Sequence, residues 1–269
     1  MMNADSEHGH KLHGENLVLG YAENEAIIDG ETVRIPAGNI TAIVGPNGSG
    51  KSTLLKGLAR QLHPRDGRVL LDGQLLGDFS SKERARKLGL LSQENTSPGQ
   101  LEVRDLVYYG RYPHRGFFEG VTETDVKKVE RAISLTGIED LRDRTLDSLS
   151  GGQKQLAWIT MILAQDTDIL LLDEPTTFLD LHHQLKVMDV VARLNETRDV
   201  TIVIVLHDIN QAARHADYMI ALTDGEIYDS GRPAQLLSEE LLATVFEIEA
   251  TITTDPISDG PLVHAKSPR

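Results

Sequence analysis

The sequence predicts an α/β fold whose mainly parallel sheet is interrupted by a block of helices. Short apolar runs rich in β-branched residues, such as NITAIVG at 39–45 and TIVIVL at 201–206, are typical of buried strands. Helically spaced segments such as KSTLLKGLARQL at 51–62 alternate with them. Because strand and helix alternate, we expect βαβ units and parallel pairing. From 94 to 164 the pattern is mostly helical, which predicts an inserted helical subdomain.

Further elements follow the same signals. The segment DLHHQLKVMDVVARLNE at 180–196 predicts a helix. In LTDGEIYDSG at 222–231, Asp-Gly stands between apolar flanks, which predicts a hairpin. After Ser238 we expect one short helix and a weakly patterned tail. Other runs that predict strands are GRVLLDG at 67–73, LGLLSQ at 88–93 and DILLLDE at 168–174.

Composition narrows the classes of function. The chain has 269 residues and no cysteine, so disulfides, thiolate metal sites and a cysteine nucleophile are excluded. Its net charge of -14 argues against nucleic acid as a partner. The apolar runs are too short to span a bilayer, so we expect any link to a membrane to come through a partner. The histidines His8, His10 and His13 either bind metal or lie in a flexible tail, and we expect the tail.

The segment GPNGSGKST, Gly45–Thr53, has the spacing G-x-x-x-x-G-K-[ST] between a predicted strand and a predicted helix. Glycines let such a loop turn its N–H groups toward phosphate, and the start of the helix adds attraction. Lys51 would reach the outer phosphates and Ser52 would ligate Mg²⁺. The alternative is a glycine-rich turn without a ligand. The residues of the predicted loop are Gly45, Pro46, Asn47, Gly48, Ser49, Gly50, Lys51, Ser52 and Thr53.

Polar residues stand at the carboxyl ends of several predicted strands. Asp173 can hold Mg²⁺ through water, and Glu174 can polarise an attacking water. Without the phosphate loop, this pair could equally be a helix cap or a solvated turn. His207 could bond a γ-phosphate or be a core histidine, and the amide oxygen of Gln93 could touch Mg²⁺ or water. Tyr21 could stack on adenine or be an ordinary half-buried tyrosine.

A second glycine-rich segment, LSGGQ, opens a predicted helix but has no lysine in the phosphate-loop position. Its backbone donors at Ser150, Gly151, Gly152 and Gln153 could still bind phosphate. In a two-fold dimer, each copy could complete the other's site. We therefore expect a homodimer with two ATP molecules between the copies. The alternative is a capped helix start with a flexible glycine pair.

The phosphate loop, Gln93, LSGGQ, ILLLDE at 169–174, FLD at 178–180 and His207 together resemble the ATP-binding subunit of ABC transporters. The resemblance covers about 16–238. It implies a P-loop NTPase, RecA-like core with an antiparallel β subdomain. It implies Mg²⁺ at Ser52, Gln93 and Asp173, Glu174 as catalytic base, His207 as γ-phosphate sensor and Asp180 acting across the dimer. The domains it implies are a flexible tail at 1–15, a nucleotide-binding core at 16–93 and 165–238, a helical signature subdomain at 94–164, and a C-terminal helix and tail at 239–269.

A narrower resemblance lies in SPGQLEVRDLVYYGRYPH at 97–114 and EPTTFLDLHHQLKVMDVV at 174–191. Both are similar to the ATPases of iron(III)-siderophore importers, whose near relatives import haem or cobalamin. This implies a peripheral protein on the cytoplasmic face of the membrane. Its partners would be a transmembrane permease, met through 95–107, and indirectly a substrate-binding protein. A soluble ABC ATPase for assembly, as in iron–sulfur biogenesis, and a plain P-loop kinase are the alternatives.

Overall fold

The structure is a computed structural model and describes residues 10–21, 25–93, 95, 100–116, 119–177 and 179–268. The chain forms two compact units. The first unit comprises Met1–Asp78 and Thr201–Arg269, and the second comprises Phe79–Val200. Except for the two terminal tails, the domain boundaries expected from the sequence stay predictions.

The described residues form strands, α-helices and short 3₁₀ helices in an alternating order. The strands are β1 (His10–Leu19), β2 (Ile28–Pro36), β3 (Ile40–Val44), β4 (Asp66–Leu71), β5 (Gln74–Leu75), β6 (Leu88–Leu91), β7 (Ile169–Asp173), β8 (Thr201–Val205), β9 (Tyr218–Thr223), β10 (Glu226–Gly231), β11 (Ile248–Thr254) and β12 (Pro261–Pro268). The α-helices are α1 (Lys51–Leu58), α2 (Ser81–Lys87), α3 (Val103–Tyr109), α4 (Glu123–Thr136), α5 (Gly151–Gln165), α6 (Leu181–Arg198), α7 (Ile209–His215), α8 (Pro233–Leu236) and α9 (Glu239–Val245). The 3₁₀ helices are Tyr112–His114, Glu139–Leu141 and Leu146–Ser148.

The first unit contains antiparallel and parallel pairing. Strands β2, β1, β4 and β5 form an antiparallel sheet in that order. Strand β3 pairs in parallel with both β8 and β9, and β10 pairs antiparallel with β9. Every residue of β3 and β8 is buried, which explains their continuous apolar runs. The predicted fold class, with its parallel core strands, antiparallel sheet and helical block, is confirmed.

The hairpin predicted at Asp224-Gly225 is formed by β9 and β10. Both turn residues have positive φ, 48° and 84°, as a two-residue hairpin turn of this hand requires. Glycine is also required here because a Cβ on Gly225 would lie 1.9 Å from the carbonyl oxygen of Ile27. The N–H of Gly225 donates to the carbonyl of Ser49 at 3.1 Å. The hairpin therefore supports the glycine-rich loop.

The predicted amino-terminal tail is wrong for residues 10–15. These residues belong to β1, which pairs with β2 and β4, and Leu12 is fully buried. Of the tail histidines, His10 and His13 therefore lie in a strand, and His8 lies outside the described residues. Register shifts interrupt β1, so its alternation of buried and exposed residues is irregular. Because of that irregularity, the sequence lacks the regular alternation of apolar and polar residues that would have predicted a strand.

The short helix predicted after Ser238 is α9, but the tail predicted beyond it is wrong, because β11 and β12 form an antiparallel hairpin. The side chain of Asn210 in α7 donates to the carbonyl of Val263 at 3.0 Å and accepts from its N–H at 2.8 Å. Arg214, in the same helix, donates to Asp255 at 2.9 Å. Few residues of the hairpin are buried, so polar contacts attach it and the apolar pattern is faint.

The second unit contains the parallel pair β6 and β7 and a helical part in which α3 and α4 pack against α5. All five residues of β7 are buried. Gly110, just after α3, is needed for this packing because a Cβ there would lie 2.1 Å from the carbonyl oxygen of Met161 in α5. Within the described ranges, no helix is both long and apolar enough to cross a bilayer.

Arg111 and His114 hold the carboxyl end of α5. Arg111 is 3% exposed and donates through Nη1 to the carbonyl of Ala164 at 2.7 Å. The Nε2 atom of His114 lies 2.7 Å from the carbonyl oxygen of Gln165. The last carbonyls of a helix lack partners within the helix, so these side chains satisfy them. The GRYPH segment therefore fixes one end of the helix that LSGGQ begins.

Asp125 is the anionic partner of Arg111. The Nε of Arg111 donates to Asp125 Oδ1 at 2.9 Å, and Asp125 is 3% exposed. Burial raises the pKa of Asp125, but hydrogen bonds from Arg111 and Thr122 outweigh burial and lower it to about 2. The unfolded chain would titrate near ~3.9. The stability that this carboxylate contributes is therefore complete above about pH 4 and is lost as the pH falls toward 2.

We predict that Asp125→Asn lowers the free energy of unfolding by about 3 kcal/mol at pH 7, because it leaves the Arg111 charge buried without an anion. Urea unfolding at pH 7 and pH 3.5 measures this, and the gap between variant and parent should narrow at the lower pH. Asp189→Asn is the control because the Asp189–Arg193 pair is exposed. Equal effects of the two substitutions would contradict the assignment.

Candidate functional site

The first unit builds the glycine-rich loop predicted at Gly45–Thr53. The loop leaves the end of β3 and enters α1. Gly45, Gly48 and Gly50 have φ values of 155°, 83° and 97°, which side-chain-bearing residues rarely adopt. A Cβ on Gly45 would lie 2.0 Å from the carbonyl oxygen of Leu222, so this strand end accepts only glycine. The loop thus follows the tight path that the motif predicts.

The loop presents donors that suit a phosphate. α1 begins at Lys51, and among the described residues no side chain caps this end. The start of a helix favours an anion, because its backbone N–H groups and the helix dipole point toward it. Lys51 is 5% exposed, and its Nζ donates to the carbonyls of Gly45 at 3.0 Å and Pro46 at 2.7 Å. The Oγ of Ser49 is buried with no hydrogen-bond partner in the described part of the chain. A phosphate oxygen at this helix start could accept a hydrogen bond from this hydroxyl.

Two other predicted residues of the first unit are exposed. His207 follows the end of β8, and its exposure rules out the core-histidine alternative. Asp208, next in the chain, caps α7 by accepting from the N–H groups of Asn210 and Gln211. His207 therefore stands between a strand end and a fixed helix start. Tyr21 is 63% exposed after β1, which excludes the half-buried alternative and leaves its ring accessible.

The second unit places the two predicted acids at the end of β7. Asp173 is the last residue of the strand and is fully buried. Glu174 is 9% exposed and has a φ of +50°. A non-glycine residue in this conformation costs about 1–3 kcal/mol. The backbone therefore turns sharply at the residue predicted to be the base.

Gln93 and Glu174 are brought together by their side chains. The Nε2 of Gln93 donates to Glu174 Oε2 at 2.6 Å. Sequence reasoning missed Thr177, whose Oγ1 donates to the same oxygen at 3.2 Å and whose N–H donates to the Glu174 carbonyl at 3.2 Å. Its only signal in the sequence is a hydroxyl three residues after the acid. The carboxylate is thus oriented by an amide and a hydroxyl of the same unit.

The second glycine-rich segment opens α5 as predicted. Ser150 caps the helix: its Oγ accepts from the N–H of Gln153 at 3.3 Å, and its own N–H donates to Gln153 Oε1 at 3.1 Å. A Cβ on Gly151 would have nothing within 4 Å. A Cβ on Gly152 would lie 2.7 Å from Cγ of His183. This segment is thus both a capped helix start and an accessible backbone surface.

Asp180 caps α6 and is 67% exposed at its side chain. Its Oδ1 accepts from the N–H of His183 at 2.9 Å and lies 2.8 Å from His183 Nδ1. The backbone N–H of His183 first, and then its side chain, lower the pKa of Asp180. Sequence reasoning did not single out His183, although the spacing Asp-x-x-His is visible. Phe178, from the predicted FLD motif, lies outside the described residues, as does part of the segment expected to meet a permease, 96–99.

Comparison with known proteins agrees with this geometry. Residues 28–177 match the family described as ABC transporter. The chain is 46% identical over 253 residues to the ferric enterobactin transport ATP-binding protein FepC of Escherichia coli strain K12, covering 94% of this chain and 93% of that protein.

Solved structures have the same fold. A metal-chelate type ABC transporter in an inward-facing conformation matches with a TM-score of 0.80 and 27% identity over 96% of each chain. A bacterial ABC transporter cassette solved as a dimer matches with a TM-score of 0.74 and 30% identity over 82% of this chain and 98% of that one. The phosphate loop, the acidic strand end and the capped LSGGQ helix therefore have one common explanation: the chain belongs to the ABC transporter family, as an ATP-binding cassette that hydrolyses ATP.

Proposed function

We propose that this chain energises the uptake of an iron(III)-siderophore-type chelate through a membrane permease. The observation that carries the proposal is that one chain contains two glycine-rich helix starts of different chemistry, the loop before α1 and the segment before α5. The substrate class rests on the 46% identity to a ferric enterobactin transport protein over 94% of this chain. The metal-chelate type transporter among the structural matches supports the same class.

Two copies would act as a homodimer with two ATP molecules between them. The loop at 45–53 would bind the phosphates of one ATP, with Lys51 at the outer phosphates, and Tyr21 would stack on adenine. The segment 150–153 of the other copy would complete that site. This segment has no lysine at the position that Lys51 occupies in the first loop, so it would contribute to a site formed by that loop. Asp180 would act across the dimer. The dimeric cassette among the matches supports this arrangement.

Hydrolysis would depend on positioning and charge. Glu174 would orient and polarise the attacking water, and His207 would contact the γ-phosphate. Ser52, Gln93 and Asp173 offer hydroxyl, amide and carboxylate oxygens, the hard ligands that Mg²⁺ prefers, so these residues would hold the ion. Mg²⁺ would neutralise charge on the phosphates. Closure of the dimer on ATP and its opening after hydrolysis would move the permease between two states.

The chain would sit on the cytoplasmic face of the membrane and meet the permease through 95–107. Gln93 lies just before that segment and donates to Glu174, so movement of the segment could reach the catalytic carboxylate directly. A substrate-binding protein outside the membrane would deliver the chelate to the permease. This chain would not touch the chelate itself.

We predict that Glu174→Gln binds ATP within about twofold of the parent but hydrolyses it at least about 100-fold more slowly, because the amide cannot act as a base. Phosphate release under saturating ATP and binding of a fluorescent ATP analogue measure the two effects. Glu196→Gln is the control because Glu196 is an exposed residue of α6. Parental hydrolysis by the Glu174 variant would refute its role.

Gln93→Ala should have an intermediate effect, a loss of about tenfold in kcat, because Thr177 still holds the Glu174 carboxylate. Combining Gln93→Ala with Thr177→Val should reduce kcat further than either substitution alone. Comparing kcat of the two single variants with that of the double variant tests whether both residues orient the carboxylate. If Gln93→Ala alone equals Glu174→Gln, then the role of Gln93 at Mg²⁺ outweighs its role in orienting the carboxylate.

The transport assignment is tested in the native host. We predict that tagged Glu174→Gln chain, trapped with MgATP, captures a many-span permease from detergent-solubilised membranes. Uptake of ferric enterobactin should fail in cells that carry only this variant, while uptake of haem and cobalamin continues. Loss of cobalamin or haem uptake instead would reassign the substrate, and capture of soluble partners alone would favour the assembly ATPase.

A further inference from the structure

His183 connects two segments that the proposed dimer needs at the same place. Its ring lies against Gly152 of the α5 start, with Cγ 2.7 Å and Cδ2 2.8 Å from where a Cβ would stand. Its Nδ1 lies 2.8 Å from Oδ1 of Asp180. The side chain is only 22% exposed, although Asp180 is 67% exposed. One imidazole is therefore packed on the LSGGQ segment and bonded to the residue that begins α6.

The two glycines of LSGGQ differ in what surrounds them. Gly151 has nothing within 4 Å of a built Cβ, so its own unit does not require glycine there. Gly152 does require glycine, because any side chain would displace the His183 ring. The close approach of ring and backbone means that α5 and α6 share a fixed contact at their amino-terminal ends. A shift of Asp180 would have to move His183, and His183 would press on Gly152.

The hydrogen bond sets the tautomer of His183. A carboxylate oxygen only accepts, so Nδ1 must carry the proton that it donates to Asp180. The same Oδ1 also accepts from the backbone N–H of His183. The carboxylate is therefore oriented by two donors of one residue, three positions along the helix.

We propose that His183 is a positioning residue for the ATP-bound dimer, which fixes Asp180 and the LSGGQ segment in one arrangement so that both meet the partner copy's nucleotide together. This inference rests on the shared site proposed above. It adds a residue that does not itself touch nucleotide. It also gives a physical reason for glycine at 152 that is independent of ligand binding.

Two substitutions separate positioning from packing. The amide nitrogen of asparagine can occupy the place of Nδ1, whereas that of glutamine corresponds to Nε2. His183→Asn therefore keeps the donor to Asp180, and His183→Gln fills more space but moves the donor. If His183 only filled space, glutamine would replace it at least as well as asparagine.

The experiment measures ATP-driven dimerisation of the full chain in the Glu174→Gln background, by sedimentation over a range of MgATP concentrations. We expect His183→Asn to dimerise within about twofold of the parent and His183→Gln to need about tenfold more ATP. Binding of a fluorescent ATP analogue should be equal in all three proteins, since the loop at 45–53 is intact. Equal binding also shows that each variant is folded.

The outcomes of this experiment distinguish the role of the Asp180 bond from the existence of the shared site. Parental dimerisation by both variants, or an equal loss in both, would overturn the role of the Asp180 bond. Failure of the Glu174→Gln parent to dimerise with MgATP would remove the shared site itself, and the inference with it. A second test uses Gly152→Ala, which should displace the His183 ring and so weaken dimerisation. Adding His183→Gln should then cost little more, because the bond to Asp180 is already disturbed. Additive losses would contradict the contact between ring and glycine.

Discussion

The direction of the backbone N–H groups at the start of a helix is the constraint on which this molecule depends. Helix α1 follows Gly50, whose left-handed backbone provides no side-chain cap, and the start of such a helix favours an anion. Helix α5 begins on Ser150, which caps itself with Gln153. The first start is therefore built to bind an anion by itself. The second has part of its donors satisfied, which suits a surface that completes a site formed elsewhere.

The contacts of the GRYPH segment give it a structural role inside its own unit. In the sequence this segment, at 110–114, belonged to the narrower resemblance to the ATPases of iron(III)-siderophore importers. In the structure, Arg111 and His114 satisfy the carbonyls of Ala164 and Gln165 at the end of α5. Tyr112, between them, is 74% exposed and is the part of the motif available to a partner. A family-specific motif can therefore identify relatives through an internal contact.

Local patterns predicted the parts of the fold that local physics determines. The fully buried strands β3, β7 and β8 were visible as apolar runs, and Asp224-Gly225 was visible as a turn. Strand β1 was not, since its register shifts break the alternation, and the hairpin of β11 and β12 is attached by polar side chains. Phosphate-loop residues were predictable because the spacing of their glycines and lysine determines the local conformation of the loop.

Contacts between distant residues were not predictable in the same way. Gln93 and Glu174 are 81 positions apart, and no local pattern says that their side chains bond. His183 was predicted only as part of a helix. Its packing on Gly152 joins two helices that are distant in the sequence, so no local pattern shows it. These contacts concern orientation, which depends on tertiary structure rather than on residue type.

The most direct measurement is vanadate photocleavage in a mixture of two chains. Vanadate trapped with ADP occupies the place of the γ-phosphate and, under near-ultraviolet light, breaks the backbone beside it. One chain is tagged and carries Lys51→Ala, and the other is untagged and otherwise unchanged. A shared site predicts that the tagged chain is cut at 149–153 but not at 45–53, because only its partner holds vanadate. A tagged chain that stays whole, while the untagged chain is cut at 45–53, would contradict the shared site.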